Sequence, residues 1–261
     1  MEGLNLLSEL FLANVGYLVP IIGIFVRLSV LVFLLPGLGE ISIPVRVRLT
    51  MAMVMTWVTL PIILPAEPLA NISLAESFLL FAKESFYGFF LGFSLRIMLF
   101  VLQIFGNILA QALSLSQIFG EGLVSEPNTT ISTLFLMAGV TLAVTADLHI
   151  MAVEIFVDSY RTFPFAYSPS AEASAFFTME KAMGAFRFAV TLSIPFIILN
   201  FVYNLMLGFL NRAMPQLMVS FVGIPAITGA GLFLLVISST TMLLAWYAGF
   251  SELSREFIVR P

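Results

Sequence analysis

The sequence predicts an all-α, polytopic membrane protein with about six long hydrophobic helices. Three observations carry that expectation. Hydrophobic residues make up 60% of the 261-residue chain and charged residues only 10%, where a soluble domain is about 25% charged. The mean hydropathy is +1.07. The 39 residues from Ala213 to Ser251 include no charged side chain. At about 1.5 Å of rise per residue this stretch would form a helix of roughly 58 Å, nearly twice the thickness of a hydrocarbon core of about 30 Å. Open sheets leave backbone groups unpaired in lipid. A barrel would alternate polar and apolar residues, and Leu134–Ala143 does not.

The apolar stretches follow in order. Leu10–Leu35 is interrupted only by Arg27. No lysine or arginine precedes Arg27, so the cationic start of a cleaved leader is missing and the stretch is expected to be retained. Gly3 is not at position 2, so myristoylation is not expected. Leu49–Leu64 is charge-free and runs into Pro61, Pro65 and Pro68; Ser77–Phe105 carries Lys83, Glu84 and Arg96. Ile131–Phe156 is apolar at first and acidic at its end, and Phe188–Leu210 is charge-free. In the last stretch, Pro215, Pro225, Gly229 and Gly231 predict a short leading helix, a break, and one span from about Ala226 to Phe250. The connections are Pro36–Arg48, Ala66–Glu76, Gly106–Asn128, Val157–Arg187 and Asn211–Gln216. No repeat is visible, and residues 1–261 read as one domain.

Charge placement is informative. With both termini in the cytoplasm, the inner segments hold Arg161, Lys181, Arg187, Arg255 and Arg260, and the outer ones Arg46, Arg48 and Arg212. That bias is weak for a positive-inside rule, and it implies helices oriented by partner subunits. A charge at the bilayer centre costs about 2.5–3.5 kcal/mol on insertion scales. Arg27, Lys83, Glu84, Arg96 and Asp147 are therefore expected to be buried between helices or subunits. For Lys83 and Glu84, snorkelling at a span end is an equal alternative.

Most chemistry is excluded by inventory. There is no cysteine and one histidine, His149, too few ligands for a metal site. Neither H-E-x-x-H nor a phosphate-binding loop is present. The net charge of −4 offers no basic tail for nucleic acid. No enzyme and no cofactor is expected. Positions 147, 151, 154 and 158 share a helix face, which sets Asp147, Glu154 and Asp158 in a stripe. This reads either as a proton path or as the solvated end of a helix, and the second is favoured because the charges cluster at one end. Gly88-x-x-x-Gly92 allows two helices to approach closely. Met51, Met53 and Met55 read as apolar filler. The connection Gly106–Asn128 is too polar for lipid and too apolar for a free aqueous loop. It is either a re-entrant, pore-blocking segment or a juxtamembrane amphipathic turn.

Several stretches together resemble a known family. They are Arg27-Leu-Ser with Leu35-Pro36-Gly37; Ile43-Pro44-Val45-Arg46-Val47-Arg48; and Ser114, Phe119 and Glu126-Pro127 in the middle connection. Asp147-Leu-His149, Ser159-Tyr-Arg-Thr-Phe-Pro164, Pro215-Gln216 and Val222-Gly223-Ile224-Pro225 complete the set. In order and spacing the chain resembles the FliR family of flagellar biosynthesis proteins and its injectisome counterparts. Leu113 and Glu126 depart from the family's usual glycine and aspartate. The resemblance implies a non-enzymatic channel subunit of a type III protein export gate, built of helical hairpins in a hetero-oligomer at the flagellar basal body of the bacterial inner membrane. The implied partners are FliP-like and FliQ-like gate subunits, FlhA-like and FlhB-like export components, membrane lipid, and unfolded protein in transit. The middle segment, about residues 106–128, is then part of a plug. Gly106, Leu113, Leu115, Ile118, Phe119, Gly120 and Gly122 are its implied residues, with Leu113, Leu115, Ile118 and Phe119 as apolar stoppers and Gly120 and Gly122 as flexible points. The competing reading is a small secondary transporter with a midplane site on broken helices, although no internal repeat supports it.

Overall fold

The computed structural model describes residues 2–40, 42–64, 73–114, 130–165, 171–213 and 219–259. Among these there are seven helices and no strand: α1 Glu2–Leu34, α2 Val45–Ile63, α3 Leu74–Ala112, α4 Thr130–Thr145, α5 Leu148–Thr162, α6 Ala171–Ala213 and α7 Val219–Val259. Five are long and apolar enough to cross a membrane, or six spans if α4 and α5 form one broken span. The all-α polytopic expectation is met.

The boundaries differ from expectation in four places. The break at Pro225 is absent: α7 is continuous, with Pro225 in its second turn. A proline there removes one backbone hydrogen bond, a loss that membrane helices tolerate. The stretch Ile131–Phe156 divides at Ala146 and Asp147, and Asp147 takes a left-handed conformation with φ 60° and ψ 33°. Gly106 is not in a connection, because α3 continues to Ala112. The connection expected over Val157–Arg187 is mostly helical, with α5 reaching Thr162 and α6 beginning at Ala171.

The chain divides into two compact units. The first comprises Met1–Arg96, Val144–Met179 and Ser251–Pro261. Its core is read directly from helical spacing. Ile24, Leu28, Leu31 and Leu35 come from α1 or its end, Leu80, Tyr87, Leu91 and Leu95 from α3, and Leu148, Ala152 and Ile155 from α5; all are buried. Steps of three and four residues put each set on one helix face. Gly88 of α3 sits against the Arg27 backbone carbonyl and Gly92 against Leu34, a close approach of the kind the Gly-x-x-x-Gly spacing allows. Helix α2 packs on α1 and α5 and leaves Trp57 78% exposed on its outer face.

The second unit comprises Ile97–Ala143 and Glu180–Phe250. Phe105 is fully buried and meets Phe135 edge-on at 4.9 Å and Phe196 at 6.1 Å between ring centroids. Trp246, also fully buried, donates from Nε1 to the Met98 carbonyl at 2.7 Å. A buried indole N–H needs such an acceptor. Outward, the unit shows Phe201, Phe209, Phe233 and Val236. A belt of this kind needs lipid or other apolar helices around it.

Candidate functional site

In the first unit two of the in-span charges, Arg27 and Glu84, meet. Both side chains are 0% exposed, with Arg27 Nε donating to Glu84 Oε2 at 2.6 Å. Each terminal nitrogen of the guanidinium also has a partner. Nη1 donates to Ser159 Oγ at 3.0 Å and Nη2 to the Phe163 carbonyl at 3.2 Å. Ser159 Oγ in turn donates to the Phe156 carbonyl at 2.6 Å. The Tyr160 ring lies 3.6 Å and the Tyr87 ring 4.9 Å from Arg27 Cζ, and the Tyr160 hydroxyl donates to Glu84 Oε2 at 3.3 Å. Phe163 stacks on Tyr87 at 4.8 Å.

Each helix contributes by its periodicity. On α3, Glu84, Tyr87 and Leu91 fall on one face, four residues from Leu80 to Glu84 and three to Tyr87. On α5, Phe156, Ser159, Tyr160 and Phe163 wrap the helix end. A buried charge is tolerated when paired and hydrogen-bonded, and desolvated cation–π contacts add about 2 kcal/mol. The arrangement ties α1, α3 and the end of α5 into one body. Its chemistry is that of a clamp.

The other expected charges are placed differently. Arg96 and Glu40 are half-buried, with Arg96 Nη2 3.6 Å from Glu40 Oε1. Lys83 is half-buried, because adjacency to Glu84 turns it to another face of α3. Asp147 is exposed within this chain at the break between α4 and α5, so no helix of this chain buries it. On its carboxylate stripe, Glu154 is exposed, and Asp158 pairs with Arg161 at 3.1 Å, one turn on.

In the second unit, the start of the central segment is built into the packing. Gly106 lies against Ser132 of α4, inside a helix rather than a hinge. Leu113, expected to be a stopper, is fully buried against Gly231 of α7. Its carbonyl accepts a hydrogen bond from Thr228 Oγ1 at 2.8 Å. Ser114 then turns the chain out of the helix with φ 54°. Leu115, Ile118, Phe119, Gly120 and Gly122 lie outside the described residues.

Sequence reasoning missed Tyr87, Ser159, Tyr160 and Phe163 as partners of Arg27, and Thr228 as the anchor of Leu113. Tyr87 was findable, one turn after Glu84. Ser159–Phe163 stood in a stretch read as a connection. Among the described residues no group of three or more His, Cys, Asp or Glu side chains is placed to hold a metal ion.

Long apolar helices around an internally paired arginine define a polytopic α-helical membrane protein. Comparison with known proteins goes further. The family described as bacterial export proteins, family 1, matches residues 18–253, and the chain belongs to it. It is 28% identical over 233 residues to flagellar biosynthetic protein FliR of Caulobacter vibrioides, covering 88% of this chain and 92% of that protein. It is 28% identical to the Escherichia coli K12 protein of that name over 214 residues, 80% of each chain. Against the protein of that name from Aquifex aeolicus it is 24% identical over 249 residues, covering 92% of this chain and 93% of the relative.

Proposed function

We propose that the chain is a channel subunit of a flagellar type III protein export gate. In this reading it assembles in the bacterial inner membrane with FliP-like and FliQ-like subunits and works with FlhA-like and FlhB-like components. It passes unfolded flagellar subunits outward and performs no catalysis itself. The observation that carries the reading is the match to a bacterial export family over residues 18–253. Relatives named for flagellar biosynthesis favour flagellar over injectisome use.

The central segment is the proposed closed-state plug. An export channel must admit an extended chain and hold back ions. Apolar side chains at a constriction do so by excluding water. Leu115, Ile118 and Phe119 are the proposed stoppers, and Gly120 and Gly122 the points that let them swing aside. The anchoring of Leu113 by Thr228 supports a segment held at its base and free to act beyond it. Gly106 and Leu113 then serve as the base, not the tip.

Deleting Leu115–Phe119, or replacing Phe119 with Gly, should make the assembled gate conduct ions in a planar-bilayer or patch recording. A deletion that stays as tight as the unaltered gate removes the plug from the account.

A further inference from the structure

Beyond Arg96, helix α3 carries polar side chains only at Gln103, Asn107 and Gln111, spaced four residues apart. At about 100° per residue they fall within about 80° of the helix circumference. The opposite face is the packed one, where Leu102, Phe105 and Leu109 are buried. Gln111 is exposed, and Gln103 and Asn107 are half-buried. No charged residue lies between Arg96 and Glu121. The row ends three residues before Ser114, where the chain turns out of the helix.

A carboxamide reproduces the peptide group, with N–H donors beside a carbonyl acceptor of two lone pairs. At about 1.5 Å of rise per residue the row repeats about every 6.0 Å. In an extended chain every second residue turns both its N–H and its C=O to the same edge, at intervals of about 6.6–6.8 Å. Over two steps the mismatch is about 1.2–1.6 Å. The outer two side chains are glutamines, each one methylene longer than the central asparagine, so the row can splay to meet it. Other occupants fit less well. Hydrocarbon offers no hydrogen bonds. A helix has bonded its backbone groups internally and would meet the row through side chains alone.

We propose that Gln103, Asn107 and Gln111 form a contact strip for the backbone of an extended polypeptide, whatever its sequence, on the approach to the central segment. The inference rests on the reading of this chain as a subunit of a protein export channel. Each bond is replaced by its equivalent when the cargo advances by two residues, so the strip aligns the cargo without holding it. The lack of charge lets acidic and basic side chains pass alike.

The test uses cells with the whole export apparatus and an exported protein stalled in transit by a fused folded domain. The photoreactive residue p-benzoylphenylalanine replaces Gln111, and after irradiation the adduct is mapped by mass spectrometry. The expected adduct is on the stalled polypeptide, at several cargo positions, and is lost when no cargo is stalled. An adduct only on another subunit, on a second copy or on lipid overturns the proposal. The same probe in place of Phe119 separates the strip from the channel reading. Cargo captured from Phe119 and not from Gln111 removes the strip alone; cargo captured from neither position removes both. In gates recovered assembled, Gln103→Leu with Asn107→Leu and Gln111→Leu should slow export of acidic and basic cargo alike, roughly threefold or more. Asn107→Asp should instead slow acidic cargo relative to basic cargo. Export by the triple variant at the unaltered rate overturns the proposal.

Discussion

Arg27 is the residue on which the first unit depends. With Glu84 present, its charge is matched and its donors on Ser159 and Phe163 are in place. Glu84→Ala leaves a guanidinium buried without its carboxylate, at a cost of about 3–5 kcal/mol. The expected result is a large drop in folded protein recovered from membranes. Arg27→Met with Glu84→Leu should be milder than either single change, because no charge is left unpaired; a double variant worse than Glu84→Ala would contradict the clamp. Asp147 is a smaller case. Its φ of 60° is disfavoured for a residue with a Cβ, so Asp147→Gly should hold or raise the thermal midpoint of the solubilised protein, by up to about 1 kcal/mol of stability. The insertion cost makes a buried partner for Arg27 legible in the sequence, while for Glu84 snorkelling at a span end is an equal reading. That they are each other's partner is not legible, since 57 residues separate them and no spacing rule links two helices.

At the scale of the helix, close approach decides more than propensity. Gly88 places α3 on the backbone of α1 one turn from Glu84, so the ion pair and the glycine contact are one interface. Gly88→Val should push the helices apart and reduce folded protein about as far as loss of Glu84 does. Gly184→Ala, where a Cβ meets nothing within 4 Å, should be neutral by the same assay. Thr228 deserves the matching test on α7. Thr228→Val removes the donor to Leu113, a bond worth about 1 kcal/mol. If that bond steadies the base of the central segment, ion leak through the assembled gate should rise modestly. Helix existence was largely legible in the sequence, since long apolar runs admit little else in lipid. Helix ends were less so. Pro225, in a stretch too long for one span, predicts a break, yet α7 passes through it. The mixture of glycine, polar and apolar residues over Gly106–Asn128 predicts a connection from Gly106 onward, yet Gly106 is the contact point of α3 with Ser132.

For the whole molecule, the unburied surface is the leading fact. Trp57, Phe201, Phe209, Phe233 and Val236 are exposed, and α3 adds a row of amides. Some of this surface suits lipid; the amides do not. The family match fits the proposal that the chain is completed by other subunits. Expressed without its partners, the chain should be degraded or aggregate faster than when the full apparatus is present, as pulse-chase in the two backgrounds would read. The direct measurement of the central proposal is the native mass and subunit composition of the affinity-tagged chain, purified in mild detergent from cells carrying the flagellar export genes. The account predicts a large hetero-oligomer with other membrane-spanning export subunits in fixed ratio. A monodisperse particle of this chain alone, stable and transporting a small solute, would contradict it.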